Sequence, residues 1–482
     1  MGRHRQLGCP APRAPARRKR QRLGRPGARE RDTRLRRVVG DDARGVERCP
    51  GSGGGGGQWP DPGHDARKGP PSEGAARPPA TGRAGPAVVT DLVLLEPDTS
   101  GLEWAPFAGV RPVCELRASI WRIRERWEQV LGARASAIVG AHVAGFVDDA
   151  AAPPVQKAAA IRGPAFVARS DFVPSLEPVE FSGDTRCLAF HGKPVAWLLA
   201  SGETLDPARL PPAPPALAVN GMLLGGGFAL LDALDSLLAL DCAAWAAQAG
   251  ATMVPAGSLV LGDPSLIAAG AAQVEPGVVF DVRHGAIVLD AGAEVRHGAR
   301  LEGPLYVGPH STVWGGVVKH SVIGPHCRVH GEVTHSIFLG YASKAHEGFV
   351  GHSVLGHWVN LGALTTTSNL KNTYGMVALE VAGTRIETNR QFVGTLFGDH
   401  VKTAIGTMLG TGTVIGAGAN LFGSDAVPKY VPPFAWGNAA RERMDEAAFL
   451  KVAGRAMPRR GVELTAERRA SLSATYARIT GP

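Results

Sequence analysis

The chain carries 15 histidines, and most fall between His297 and His400. Imidazole is the side chain that both takes a proton near neutral pH and ligates zinc, so this stretch is where chemistry is sought first. His330 with His335, and His352 with His357, each step by five residues, a spacing that zinc-type carbonic anhydrases on hexapeptide solenoids can use. Such a site needs a third histidine at the right height and a second-shell partner. No convincing third position is found, so a zinc site of this kind is kept only as a minor alternative. The bland reading places His297, His310, His320 and His326 at corners or on the surface. Six cysteines are scattered without a Cys-x-x-Cys pair, which excludes a zinc ribbon and a disulfide scaffold and points to a reducing cytoplasm.

These side chains must be held by something, and the surrounding sequence says what. An aliphatic residue returns every six positions through Leu289, Val295, Leu301, Val307 and Val313. Ile323 and Val329 resume the series, Leu355 and Leu361 continue it, and Leu409, Ile415, Leu421 and Val427 close it. A period of six fits neither a helix nor simple strand alternation. It fits a solenoid of short flat strands, three to a coil of about 18 residues, with one aliphatic per hexad pointing inward. The repeat breaks twice. At 336–349 the phase slips, and 364–396 is too long and polar for a corner, so a loop must leave the solenoid there. Excursions from a rigid repeat are where sites are usually built.

The formal charge of +9 misleads, because residues 1–87 hold 20 Lys and Arg against 8 Asp and Glu, leaving 32 against 35 for the remainder. That Arg-, Gly- and Pro-rich tail cannot bury enough to fold and is expected to be disordered. It lacks the aromatic interleaving of a nucleic-acid arm and the apolar core of a signal peptide. The preferred reading is upstream sequence that the mature protein does not contain. The most apolar segment, Phe228–Ala247, is interrupted by Asp232, Asp235 and Asp241, which argues against a membrane span. No nucleic-acid or membrane partner is expected.

From Val88 the sequence turns to folded protein. Strands are expected at 88–95, 137–147, 165–168 and 189–199, with helices at 116–131 and 229–249. This alternation implies an α/β domain over 88–240. A connecting helical segment follows over 241–280, then the β-helix over 281–427. A Pro-rich turn and a charged helix complete the chain over 428–482.

Ser343-Lys-Ala-His-Glu-Gly-Phe-Val-Gly, Leu355-Gly-His-Trp-Val-Asn-Leu-Gly-Ala and Thr367-Ser-Asn-Leu-Lys-Asn-Thr-Tyr-Gly resemble segments of a known bacterial family. Its bifunctional members make UDP-N-acetylglucosamine. They join a Rossmann-like sugar-1-phosphate nucleotidyltransferase domain to a left-handed parallel β-helix of hexapeptide repeats that carries an acetyltransferase. Gly398-Asp-His-Val-Lys-Thr and Pro428-Lys-Tyr-Val-Pro-Pro-Phe-Ala-Trp-Gly are similar to a divergent branch of that family. The resemblance implies a cytoplasmic homotrimer in which a sugar amine attacks acetyl-CoA, with a histidine near its own pKa as base. His346 falls where the family has that base, with one residue fewer between it and Lys344. Asn360 and Asn369 match residues that position sugar and thioester, Lys371 and Lys402 could meet phosphates, and Lys344 is expected to bind substrate or acyl-CoA with them. Phe349 stands where a tyrosine is expected. Without the resemblance, both asparagines read as stacked corner residues and both lysines as solvated charges.

The first domain departs further from the pattern. The family opens with a Gly-rich phosphate loop, whereas Glu96-Pro-Asp-Thr-Ser-Gly follows the first strand here. Pro106 to Leu116 resembles the segment after that loop, with Arg111 and Pro112 at its core. Ala218-Val-Asn220-Gly221-Met222 resembles the strand end whose aspartate binds Mg²⁺, but a thioether cannot replace a hard oxygen ligand. Either Asp241 supplies the metal ligand or metal-assisted nucleotidyl transfer is lost. The expectation is an acyl-CoA-dependent N-acyltransferase for an amino sugar or its phosphate, with nucleotidyl transfer open. The alternative is a non-catalytic nucleotide-sugar or acyl-CoA binding protein of the same fold.

Overall fold

The structure is a computed structural model and describes residues 91–481 apart from 98–100, 149–151, 178, 180, 182–183, 212–215, 250–253 and 255. The basic tail expected over 1–87 lies outside the described residues. Asp91–Leu95 is an interior strand of a seven-stranded mixed sheet, paired in parallel with Arg134–Val139 and Ala165–Arg169. The strand expected at 189–199 is two strands, Cys187–Phe190 and Lys193–Leu199, because His191 and Gly192 adopt positive φ (47° and 74°) and turn the chain into a hairpin. The helix expected from 116 begins only at Ile123. Glu125 accepts from the Arg122 backbone N–H at 2.9 Å, and Gly132 ends the helix in the left-handed region at φ 62°.

The solenoid starts earlier than expected. Leu259–Leu261 already pairs in parallel with Val279–Asp281, and the last rung, Ala435–Trp436, lies beyond Val427. A 13-stranded sheet makes the first and second walls, because Ala299–Val307 and Gly316–Ile323 run from one to the other. A 10-stranded sheet makes the third wall. The hexad aliphatics are the stack inside. Leu289, Val307, Ile323, Phe338, Leu355, Phe397, Ile415 and Val431 follow one another up the second wall, all buried. Each hexad offers one side chain to this column, so only the stack excludes water. Buried hydroxyls serve the backbone at the corner: Ser321, Ser336 and Ser353 each accept the next coil's N–H, from Ser336, Ser353 and Thr395.

Helix Leu230–Ala249, expected from 229, packs against the outward side of the second wall. Val288, Tyr306, Val322, Ile337 and Val354 meet Leu230, Leu234, Leu238 and Cys242 there. The loop expected to leave at 364–396 is an antiparallel hairpin, Val377–Val381 with Thr384–Arg390. It folds back with Val377, Leu379, Val381 and Ile386 in the same apolar cluster. Two helices, Glu446–Ala456 and Ala466–Thr480, replace the single C-terminal helix expected. Among the described residues no helix is long and apolar enough to cross a membrane.

Candidate functional site

The third wall carries the expected base. Ser343 pairs with Asn360 in the next coil and Asn360 with Lys402 in the one after, so these three point outward from one surface. His346 lies three residues beyond Ser343, exposed on the corner that leads to the first wall. Lys344, expected to bind substrate, points the other way. It pairs with Val329 at an inward position and is 2% exposed. Its Nζ donates to the carbonyl oxygens of His330 and His346, both at 2.7 Å, and burial lowers its pKa to about 8. Lys344 is therefore an internal brace of the His346 turn rather than a surface cation. The hexad did not show this, because its phase slips at 336–349 and lysine is ordinarily a surface residue.

Lys402 leaves the wall on its outward side, but its Nζ folds back onto the backbone. It donates to Trp358 O at 2.6 Å and His400 O at 3.1 Å, and burial lowers its pKa to about 7. Asn369 stands on a different corner, between the first and second walls, where its Nδ2 lies 2.8 Å from His352 Nδ1. Lys371 beside it is engaged with Met376 O at 2.5 Å. Within one chain, then, His346 sits on the corner at the end of the wall that carries Asn360, while Asn369 and Lys371 sit across the first wall.

Two columns of rings line the solenoid corners, and they account for most of the other histidines between His297 and His400. His310, His326, Tyr341, Trp358 and His400 all take positive φ and stack in turn at 4.3–6.1 Å between centroids. Gly292 below and Gly418 above complete the column, and a Cβ on Gly418 would lie 2.3 Å from Phe434 Cδ1. On the next corner His320, His335 and His352 stack at 4.3 and 4.6 Å, capped by Phe392. Burial lowers His335 to about 4 and His352 to about 3. The metal pairing weighed for His330 with His335 and for His352 with His357 does not form, because the members of each pair occupy different corners.

The α/β domain meets the solenoid through a buried charge network that the sequence did not announce. Arg111 is 3% exposed, with its Nε and Nη2 3.1 and 3.0 Å from Asp399 Oδ2 and Nη2 2.9 Å from Asp148 Oδ2. His357 Nδ1 lies 2.9 Å from the same Asp148 oxygen. Burial opposes both charges, yet Asp399 and Asp148 hold Arg111 protonated, and His357 and Arg111 hold Asp148 well below the carboxylate range. Arg111 is thus committed to a bridge 288 residues along the chain, with no freedom to meet a phosphate. Pro112 precedes the turn Val113–Glu115, whose N–H groups of Val113 and Cys114 donate to Glu96 at 2.7 and 3.3 Å. Glu96 occupies the position after the first strand where the phosphate loop is missing, and burial raises its pKa to about 7. Asp241 is no metal ligand, since Arg126 Nη1 binds it at 2.7 Å. Asn220 stands elsewhere, bonded to Glu177 at 2.7 Å, on a cavity of about 200 Å³ lined also by Trp127, Val130 and Leu217. Gly221 follows with φ 157°, where a Cβ would strike Val173 O at 2.4 Å.

An α/β domain run into a hexapeptide β-helix is the layout of the two-domain sugar-phosphate transferases, and the comparisons agree. Residues 93–181 match the family model described as sugar nucleotidyl transferase. The chain is similar to the bifunctional sugar-1-phosphate nucleotidylyltransferase/acetyltransferase of Sulfurisphaera tokodaii, 30% identical over 150 residues, 29% of this chain and 35% of the relative. It is also similar to the bifunctional protein GlmU of Methanococcus vannielii, 31% identical over 24% of this chain and 27% of the relative. The protein of that name from Methanocaldococcus jannaschii is 29% identical over 24% and 26%. The chain spans between about a quarter and about a third of the length of these curated relatives. The resemblance read from the sequence is borne out at this level.

Proposed function

We propose that the protein is an acyl-CoA-dependent N-acyltransferase acting on an amino sugar or amino-sugar phosphate, with His346 as general base. The observation that carries this reading is the braced turn: His346 is presented to solvent at the end of the wall that carries Asn360, while Lys344 fixes its backbone from inside. A base on so rigid a wall needs no reorganisation to meet an amine. The base deprotonates the attacking amine, the nitrogen adds to the thioester carbonyl, and CoA leaves as the thiol. Asn369 and Lys371 would join the site from a neighbouring subunit, since one chain keeps them on another corner. The reading therefore includes a homotrimer, which light scattering at micromolar concentration tests. His346→Ala should slow thiol release from acetyl-CoA by roughly 10²–10⁴-fold with little change in acetyl-CoA affinity. An unchanged rate with the best amino-sugar acceptor would sink the assignment.

A second reading is favoured by the cavity at Asn220. The α/β domain would hold a nucleotide-sugar there without turning it over, as Arg111 is bridged, Met222 cannot ligate Mg²⁺ and Glu96, just after the first strand, is taken up by the Val113 and Cys114 amides. Robust Mg²⁺-dependent pyrophosphate release from UTP or dTTP would count against it.

A further inference from the structure

The corner of stacked histidines meets the helix Leu230–Ala249, and there a set of ligating atoms converges that the proposed reaction does not use. Asp235 of that helix, His320 and His335 each bring a carboxylate oxygen or ring nitrogen within 4.8 Å of the others. We propose that these three residues form a divalent transition-metal site, zinc in the first instance, which staples the helix to the solenoid. It does not depend on the acyl-transfer reading.

His320 Nε2 is buried without a hydrogen-bond partner and lies 3.6 Å from Asp235 Oδ1. That separation is too long for a hydrogen bond, yet it is close to the edge of a tetrahedral zinc site, about 3.4 Å for ligand bonds of about 2.0–2.1 Å. His335 Nδ1 is 2.7 Å from Thr334 Oγ1. A hydroxyl accepting from Nδ1–H leaves the Nε2 lone pair for a metal, the usual way a ligating imidazole is oriented. Asp235 is oriented in the same manner, since its other oxygen accepts from Arg390 Nη2 at 2.7 Å. His352, next in the stack, receives the Asn369 amide on Nδ1, so its remaining nitrogen carries hydrogen and cannot ligate. Two of the three rings are thereby selected.

The surrounding charge admits a cation. Asp235 is the one carboxylate that faces the rings, with Asp232 beside it on Arg390, and with Lys319 also acting on His335 the junction is close to neutral before any metal enters. The Asp235 and His320 side chains are 40% and 24% exposed, so a fourth position is open to water. The three ligand atoms lie within 4.8 Å of one another, and bringing both nitrogens onto one ion requires the two rings, stacked at 4.3 Å, to tilt toward each other. Imidazole with carboxylate selects zinc, cobalt or nickel over magnesium and calcium.

Cobalt(II) titrated into the tag-free, chelator-stripped full chain should bind one equivalent and give the visible absorption of a four-coordinate ion. Zinc should displace it and raise the thermal midpoint. His320→Ala and Asp235→Asn should each weaken cobalt binding by at least about tenfold and abolish the zinc-induced rise. Asp235→Asn lies on an exposed helix face and serves if His320→Ala fails to fold. Failure of the stripped wild type to take up cobalt at 100-fold excess over protein, or uptake unchanged in folded Asp235→Asn, would overturn the site.

Discussion

Replacing Lys344 by methionine tests whether the inward lysine is the charged brace that its contacts describe. Burial lowers its ammonium from 10.5 to about 8, while the unfolded chain keeps the ordinary value. Between those two pH values the unfolded state binds the extra proton, so wild-type stability rises with pH across that window. Below pH 8 the full penalty is present, roughly 3 kcal/mol by the free energy of one pKa unit. The methionine variant has no such proton. At pH 7.5 it sheds the penalty but leaves the His330 and His346 carbonyls without their donor, at a cost of about 1–3 kcal/mol, so the two proteins should be close in stability. At pH 10 the wild type should have gained roughly 2 kcal/mol on the variant. Urea unfolding at both pH values reads the difference directly, and Lys402 and the other titrating groups cancel in the comparison. A wild-type advantage constant to within about 0.5 kcal/mol between pH 7.5 and 10 would refute the buried ammonium.

Gly418→Ala should cost about 1–3 kcal/mol, combining left-handed strain with the clash against Phe434. Gly406→Ala, with φ 70° and open space around it, should cost only about 1 kcal/mol; equal losses in chemical denaturation would remove the steric role given to the column. His352→Phe, in metal-free buffer, should flatten the acid side of the stability profile. The wild-type ring is held neutral down to about pH 3, so wild-type stability is lost as pH falls below about 6.5, where the unfolded histidine takes a proton. Thermal midpoints at pH 7 and pH 4.5 that fall equally in both proteins would contradict this.

What the sequence made legible follows from the range of the forces involved. The hexad aliphatics announced themselves because each stacks on its own copy, so the repeat records the packing directly. The helix at 230–249 was visible for a similar local reason. The hairpin was read as a loop although Val377, Leu379 and Val381 alternate ahead of the turn at Ala382-Gly383, because its polar flanks dominated. The Arg111 bridge was out of reach: nothing near Arg111 marks Asp399 as its partner, and the geometry exists only once two domains are packed. Lys344 was hidden because the hexad phase slips at 336–349, and only its pairing with Val329 shows it facing inward. Asp235 was noticed only as an interruption of an apolar run, and its nearness to His320 is a product of helix-on-wall packing.

The ring column from His310 to His400 has a further consequence, for how such a chain can change length. Successive members are separated by 16, 15, 17 and 42 residues, yet each N–H bonds to the coil below at the same corner. The ring, rather than the residue count, marks where a coil closes. That corner works as a datum line, and additions have accumulated at the other two. A graft of foreign sequence should therefore be absorbed at the hairpin corner, while one extra residue beside Tyr341 or Trp358 would put every later coil out of step.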